Sequence, residues 1–268
     1  MTVHSRLTEL IDILDLEPIE ENVFRGQHQV ENRNRLYGGQ IMAQALVAAG
    51  RTVTSERPPH SLHGYFMRPG DPAIPVLFSV ERIRDGRSFS TRRIVAIQHG
   101  KAIFSMDASF QEVEKGLEYL EQMPDVPRPI EEKAEHDQFI TYLVEYKQKQ
   151  ANKSMPPRQN HWFKSNGLIA SDDRLLHAAL LTFQSDDALL STSRLPHRGS
   201  FERSDMQSAS LDHAMWFHDP DARVDQWILY ALDAPLSSAT RGYNRGSMFG
   251  ESGHLIATTM QESLMRLR

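Results

Sequence analysis

Cysteine is missing from this chain of 268 residues. Its absence excludes disulfide bonds, a thiol nucleophile and thiolate metal sites, and it fits a reducing compartment. The sequence also lacks a P-loop, a G-x-G-x-x-G motif and an H-E-x-x-H motif, which are common signs of nucleotide or zinc binding. We therefore predict that the protein uses no metal and no cofactor.

Membrane and nucleic-acid signals are missing too. No apolar run approaches the ~20 residues of a membrane-spanning helix, and the net charge of -5 gives no electrostatic reason to bind nucleic acid. The N-terminal segment mixes acidic with apolar residues and has no cleavage site, so we expect no signal peptide. The C-terminal sequence is not a peroxisomal address of the Ser-Lys-Leu type. These features predict a cytoplasmic protein without membrane or nucleic-acid partners.

One order of elements occurs twice along the chain. A helix-like segment is followed by a set of β-hairpins, first over residues 37–111 and again over residues 172–262. A repeat of this size predicts a small helix-on-sheet unit that has been duplicated and fused. A groove between two such halves is a natural place for an elongated ligand.

Hydrophobic periodicity and turn signals predict the elements of each copy. Predicted helices cover residues 5–16, 38–50 and 172–190, and Ser171 is placed to cap the third helix. Predicted strands cover 60–68, 74–84, 89–98 and 103–111 in the first copy, and 161–164, 208–218, 226–233, 239–248 and 254–262 in the second. Glu, Lys and Pro dominate the stretch between the copies, which is typical of an exposed linker. The domain prediction is an N-terminal unit at 1–112, a linker at 113–150 and a C-terminal unit at 151–268.

The second predicted helix of the repeat carries the pair Asp186 and Asp187 in an otherwise apolar pattern. A buried carboxylate without hydrogen bonds costs several kcal/mol, so two of them in such a helix are unexpected. The pattern alone favours a solvated helix edge for both, with a functional role as the alternative.

The stretch 209–218 places a serine, an aspartate and a histidine close together. Neighbouring residues of a strand point to opposite faces, which puts Ser210 with Asp212 and separates both from His213. The chain has no G-x-S-x-G nucleophile elbow, so a Ser/His/Asp triad is not supported. The pattern favours a structural role for His213. Gln261 lies on an apolar strand face, where its amide needs partners.

Two further groups of polar residues have weaker functional interpretations. His60 and His63 are three apart on a predicted strand and face opposite ways, which argues against a shared metal. A dense basic run is usually a solvated strand face, and a site for a phosphate-bearing ligand is the alternative. The run consists of Arg82, Arg84, Arg87, Arg92 and Arg93.

Five separated segments resemble the type II acyl-CoA thioesterase (TesB-like) family: YGGQIMAQAL, HSLHGYFMRPGD, RDGRSFSTRRIVAIQHGKAIFSMDASFQ, SLDHAMWFH and MQESLMR. The resemblance covers both repeats. It implies an α+β double hotdog fold, in which two helices are each wrapped by an antiparallel sheet and the two sheets are fused. It also implies cleavage of acyl-CoA to fatty acid and CoA. Hotdog proteins commonly pair through their sheets, so we expect a homo-oligomer, a dimer or higher.

The resemblance also implies a catalytic trio, Asp186, Ser210 and Gln261, and so reverses the solvated-edge interpretation of Asp186. The trio would hold a water that attacks the thioester directly. Gly39, at the start of the first long helix, is a candidate oxyanion donor. The sequence departs from the family at Ser263, where a glycine is usual, and in its shorter linker.

Two other functions are compatible with such a fold. A hotdog enoyl-CoA hydratase would generally pair an aspartate with a histidine, and the trio contains no histidine. A non-catalytic acyl-CoA sensor would bind without turnover, and the complete trio argues against it.

Overall fold

A computed structural model of the chain describes residues 6–28, 35–129, 138–143 and 153–268. Its helices are α1 (Arg6–Leu14), α2 (Gly38–Gly50), α3 (Arg174–Ser185) and α4 (Leu189–Thr192). The strands of the first half are β1 (Glu17–Glu20), β2 (Val23–Gly26), β3 (Pro59–Phe66), β4 (Val76–Asp85), β5 (Phe89–Gln98) and β6 (Lys101–Gln111). Those of the second half are β7 (Phe139–Leu143), β8 (Arg158–Ser165), β9 (Met206–Ser210), β10 (Asp212–Phe217), β11 (Ile228–Ser238), β12 (Arg241–Gly250) and β13 (Leu255–Leu267).

Helix α2 is buried on all sides. Eleven of its thirteen residues are buried, among them four alanines, so it has no polar face to turn to solvent. Small residues let α3 approach closely: a Cβ at Gly50 would lie 2.5 Å from the side chain of Leu175. The predicted bounds of this helix are confirmed. None of the helices within the described ranges is long and apolar enough to cross a membrane.

Helix α3 is shorter than predicted. It begins after Asp173, whose carboxylate accepts from the Leu175 N–H at 2.9 Å. Ser171 instead accepts from the N–H of Asp173 at 3.1 Å, so the prediction that Ser171 caps the helix was wrong. The helix ends at Ser185, whose carbonyl accepts from the Tyr230 hydroxyl at 2.9 Å. Ala188 then takes a left-handed conformation, with φ of 69°, before α4 begins.

The strands form one antiparallel sheet in the order β1-β2-β4-β5-β6-β3-β10-β13-β12-β11-β8-β7, with β9 beside β13. The two halves join where β3 pairs with β10, at His213 opposite Gly64. Helix α2 packs against β3, β4, β5 and β6 of this sheet and against α3. Two helix-and-sheet halves with edge-to-edge sheets are the architecture that the resemblance implied.

Strands β1, β2 and β7 were missed by the sequence prediction. The side chains of β1 are all exposed, so it has no apolar alternation to detect. Strand β7 lies inside the predicted linker 113–150 and pairs with β8, where Phe139 packs edge-on against Phe163. Residues 112–129 have no helix or strand, in agreement with an exposed linker. The rest of that segment, 130–137 and 144–152, lies outside the described residues.

The predicted strand 208–218 is two strands, because the chain carries a β-bulge around Leu211. Ser210 is opposite Ser263, whereas Ala214 is opposite Met260. Four steps along one strand therefore match three along the other, which is the definition of an extra residue in a ladder. The N–H of Glu262 donates to the carboxylate of Asp212 at 2.6 Å, so a side chain completes the interrupted ladder.

Candidate active site

The three residues of the predicted trio lie in one hydrogen-bonded chain. Ser210 Oγ donates to Asp186 Oδ1 at 3.4 Å and accepts from Gln261 Nε2 at 3.1 Å. Asp186 follows the last residue of α3, Ser210 ends β9, and Gln261 lies in β13. The fold thus brings together groups that are up to 75 positions apart in sequence, 186 to 261.

Asp186 is partly enclosed at the C-terminal end of α3. Its Oδ2 accepts from the N–H of Gly39 at 3.1 Å. Burial raises the pKa of Asp186 to about 6, against the opposing effects of the bonds from Gly39 and Ser210 and the charge of Arg35. Asp187 is exposed, so the solvated-edge interpretation is right for Asp187 and wrong for Asp186.

The start of α2 leaves no room for side chains. A Cβ at Gly38 would lie 2.7 Å from Asp186 Oδ2, and one at Gly39 would lie 2.2 Å from the carbonyl oxygen of Phe183. Glycine at both positions allows the helix to approach the carboxylate. The N–H of Gly39 is engaged by Asp186, so an oxyanion role for Gly39 stays a prediction and requires the carboxylate to give up this bond.

His213 belongs to the same network, although the sequence interpretation separated it from Ser210. Its Nδ1 lies 2.8 Å from Gln261 Oε1, and its Nε2 lies 3.0 Å from Ser185 Oγ. The bulge at Leu211 changes the alternation, so both Ser210 and His213 reach Gln261. The polar Gln261 on an apolar face was the signal that could have found this neighbour. His213 is fully buried, which lowers its pKa to about 4 and leaves the ring neutral.

The partners of the Gln261 amide define its orientation. Nε2 donates to Ser210 and, at 3.3 Å, to Ser263 Oγ, so Oε1 is left to accept from His213. In this orientation of the amide, the proton of the neutral imidazole is assigned to Nδ1. Ser263, at the position where the family usually has glycine, is buried and serves as a second acceptor for this amide.

Asp186 and Ser210 line a cavity of about 830 Å³, whereas Gln261 and His213 lie behind them. Much of the wall is apolar and comes from both halves of the chain. The apolar lining includes Leu36, Ile41, Phe66, Ile103, Phe104 and Leu190. An apolar cavity with few polar groups at one place is typical of a site for a ligand with a hydrocarbon part.

The other polar groups singled out in the sequence lie elsewhere. His60 bonds to Ser109 at 2.8 Å, and His63 packs edge-on against Trp216. In the part of the chain that the structure describes, no three His, Asp or Glu side chains are grouped to hold a metal ion.

None of the five arginines of the basic run lines the cavity, and three of them pair with carboxylates. Arg92 is buried and bonded to Asp85 at 2.7 Å, and Arg93 pairs with Asp107 at 2.9 Å. The run therefore takes no part in this cavity, and its alternative interpretation as a phosphate site stays a prediction.

The fold and the site define a class: a double hotdog protein with a carboxylate, a hydroxyl and an amide at an apolar cavity. The sequence model of the acyl-CoA thioesterase family matches residues 132–264. The model of the acyl-CoA thioesterase N-terminal domain matches residues 29–111.

Full-length relatives agree with these matches. Acyl-coenzyme A thioesterase 8 of Mus musculus is 39% identical, over 96% of this chain and 88% of the relative. Acyl-CoA thioesterase 2 of Haemophilus influenzae is 36% identical, over 97% of this chain and 98% of the relative. This chain belongs to the acyl-CoA thioesterase family.

Solved structures resemble the fold described above. The acyl-CoA thioesterase II TesB2 of Mycobacterium marinum superposes with a TM-score of 0.85 at 39% identity, covering 97% of this chain and 98% of that one. A protein with a hot dog fold from Alicyclobacillus acidocaldarius gives a TM-score of 0.78 at 19% identity, covering 97% and 98%. The predicted double hotdog fold is thereby confirmed.

Proposed function

We propose that this protein hydrolyses acyl-CoA thioesters by direct attack of a water held by Asp186 and Ser210, with Gln261 positioning the serine hydroxyl. The observation that supports this proposal is the hydrogen-bonded chain from Asp186 through Ser210 to Gln261 at the wall of an apolar cavity. The carbon of a thioester carbonyl is electrophilic enough to react with a positioned water, so no covalent enzyme intermediate is needed.

Asp186 has the properties of a general base. A pKa of about 6 leaves the carboxylate ionised at neutral pH and able to accept a proton from the attacking water. In the same step the water oxygen bonds to the carbonyl carbon. When the tetrahedral intermediate collapses, the carbon–sulfur bond breaks, and the sulfur leaves as the thiolate of CoA or takes up the proton.

Ser210 orients the water in this mechanism. Its only proton is directed to Asp186, and one lone pair receives the amide N–H of Gln261. The remaining lone pair can accept from the water, so Asp186 and Ser210 both hold the water by its hydrogens. The lone pairs of the water oxygen are then free to face the carbonyl carbon.

A serine nucleophile is the main mechanistic rival. Among the described residues, Ser210 has no imidazole beside it, because His213 is separated from it by Gln261 and does not line the cavity. Rapid mixing with excess acyl-CoA, followed by mass spectrometry of the quenched protein, tests the two routes. The water route gives no burst of CoA and no acylated protein by mass spectrometry. An acyl group on Ser210 that forms and decays at the turnover rate would refute it.

Enoyl-CoA hydration and non-catalytic binding are the alternatives that the sequence left open. Hydration would need a histidine beside the aspartate, and His213 lies two hydrogen-bonded residues away from Asp186. An assay of free CoA release beside an assay of enoyl hydration separates these functions. Tight binding of acyl-CoA with neither activity would identify a sensor.

The proposal also covers the oligomeric state of the protein and its location in the cell. We expect a homo-oligomer, because hotdog units pair through their sheets and because Tyr65 and Met260 are exposed on the outer face, beside the strand pairing that joins the halves. Light scattering that gives the mass of a single chain would contradict this. We also propose a cytoplasmic location, and cell fractionation tests it.

A further inference from the structure

Three arginines stand at the opening of the cavity. Arg35 precedes α2, Arg68 follows β3, and Arg268 follows β13, and all three are exposed lining residues. They come from both halves of the fold and are brought together only by the tertiary structure. Asp186 is the sole acidic residue among the described residues that line the cavity. The opening therefore carries a local excess of positive charge in a chain whose net charge is -5.

These arginines differ from the arginines of the described residues that form salt bridges. Several arginines on the sheet are paired with carboxylates, as in Arg93 with Asp107 and Arg245 with Asp233. Arg35 and Arg68 donate only to main-chain carbonyls among the described residues, to Ser208 at 3.4 Å and to Ala102 at 2.7 Å. A guanidinium has five N–H donors, so most of theirs remain available to a ligand.

Arg268 has a fixed backbone beside the same opening. Its N–H donates to the carbonyl of Asp205 at 2.9 Å, and no carboxylate among the described residues pairs with its side chain. Exposed arginines that keep their donors and are not neutralised are suited to recognise phosphate, which accepts charge-assisted and bidentate hydrogen bonds.

We propose that Arg35, Arg68 and Arg268 form a binding subsite for the phosphate groups of coenzyme A. The subsite rests on the proposed function in one respect, because it requires a substrate that carries CoA. It does not depend on which residue activates the water. The cavity runs from the exposed guanidinium groups to buried apolar walls such as Ile41 and Phe104. The acyl chain occupies the apolar part, and the pantetheine arm connects the thioester at Asp186 to phosphates at the opening.

The subsite explains how an acidic protein takes up an anionic substrate. The overall charge repels CoA, whereas a cluster of cationic side chains at a concave opening attracts it and increases the rate of encounter. Binding energy from phosphates distant from the thioester then holds the reacting carbonyl in place. Such energy is available only to substrates that carry the nucleotide.

Three thioesters of one acyl group test the subsite: the CoA ester, the dephospho-CoA ester and the pantetheine ester. The last lacks every phosphate. For each variant we would measure the ratio of kcat/KM for the CoA ester to kcat/KM for the pantetheine ester. We expect Arg68→Gln with Arg268→Gln to lower this ratio about tenfold or more, the scale of one lost charge-assisted hydrogen bond. The dephospho-CoA ester tells which phosphate is bound.

Controls separate binding from folding and from chemistry. Arg266→Gln removes an exposed charge two residues from Arg268 that does not line the cavity, and the ratio should stay at the wild-type value. Arg68→Gln could disturb the turn after β3, because Arg68 donates to the carbonyl of Ala102. Arg268→Gln removes no side-chain hydrogen bond seen in the structure, so this single variant tests the subsite without that effect. An unchanged ratio in the double variant, or an equal fall with Arg266→Gln, would overturn the subsite. An acyl-Ser210 intermediate would overturn the water mechanism and leave the ratio unaffected.

Discussion

Nδ1 of His213 lies 2.8 Å from Oε1 of Gln261, and this contact supports the amide orientation that the bonds of Nε2 to Ser210 and Ser263 define. With Oε1 held by the imidazole, Nε2 points to Ser210 Oγ at 3.1 Å. A flipped amide would present an oxygen to the serine, whose only proton is already directed to Asp186. His213 thus acts on the hydroxyl of Ser210 through Gln261, as a positioning residue that does not touch the water.

The two ring nitrogens of His213 can be tested separately. His213→Asn keeps a donor close to the position of Nδ1, and His213→Phe removes it. Leaving a buried acceptor without its partner costs about 1–3 kcal/mol, so we expect kcat of the phenylalanine variant to fall roughly 10–100-fold with little change in KM. The asparagine variant should recover a large part of kcat.

His213→Gln is the matched control, since its amide reaches the position of Nε2 and contacts Ser185. His213→Gln should restore the stability of the protein to a larger extent than it restores kcat. Equal kcat for the asparagine and phenylalanine variants, at equal folded fractions by circular dichroism, would mean that the contact with Gln261 has no role in turnover.

Sequence patterns predicted the parts of this fold that depend on local chemistry. Helix α2 was found within its bounds because nearly every residue is small or apolar. Strands β4 and β5 were found because Asp85 and Gly86 form a strong turn signal between them. Asp186 was assigned by family resemblance only; its apolar helix pattern pointed to the wrong environment.

The features that were missed depend on contacts distant in sequence. The bulge at Leu211 exists because β9 and β10 pair with β13 in registers that differ by one residue. Strand alternation cannot reveal that difference. The pattern therefore separates His213 from Ser210, although both contact Gln261. The end of α3 is likewise stabilised by Tyr230 from another strand. The three arginines of the opening share no local pattern at all.

Activity should rise with pH around the pKa of Asp186. Only the ionised carboxylate accepts a proton, so kcat/KM should increase through about pH 6 and then level off. Arg35 lowers this pKa by its charge, so Arg35→Gln should move the midpoint to higher pH. A pH profile with the pantetheine ester avoids effects on phosphate binding. A midpoint near the ordinary aspartate value of 3.8 would show that burial does not control this group.

Removing the charge of Asp186 should abolish most activity and increase stability. Asp186→Asn should lower kcat about 10²–10⁴-fold, the range of a general base. Because the folded-state pKa is raised, the native state holds its proton more tightly than the unfolded chain between pH 3.8 and about 6. The free energy of unfolding therefore falls as pH rises through that window.

Asp186→Asn has no charge at this position, so its free energy of unfolding does not fall over this pH range. Above pH 6 it should be more stable by on the order of 2 kcal/mol, and the difference should shrink toward pH 4. Denaturant titrations at several pH values measure this, and Asp187→Asn is the control because that neighbour is exposed. If Asp186→Asn destabilises the protein at neutral pH, the carboxylate has a structural role that outweighs its burial.

We expect Gly38 to matter more for the position of the Asp186 carboxylate than for the stability of the fold. An added Cβ lies 2.7 Å from Asp186 Oδ2, whereas one at Gly39 lies 2.2 Å from a backbone carbonyl that cannot easily move. We expect Gly38→Ala to lower kcat with a modest fall in Tm, and Gly39→Ala to lower Tm strongly. Thermal denaturation beside turnover distinguishes them. A variant Gly38→Ala with wild-type kcat would show that the carboxylate tolerates displacement.

The hydroxyl of Ser210 and the amide of Gln261 should act as one unit. Gln261 reaches the cavity only through Ser210, so Gln261→Ala should have little further effect once Ser210→Ala has removed the hydroxyl. A double-mutant cycle on kcat should therefore give a coupling energy close to the full effect of Gln261→Ala. Ser210→Thr should retain most of kcat because it keeps the hydroxyl. Additive losses in the double variant would mean that Gln261 contacts the substrate or the water by a route of its own.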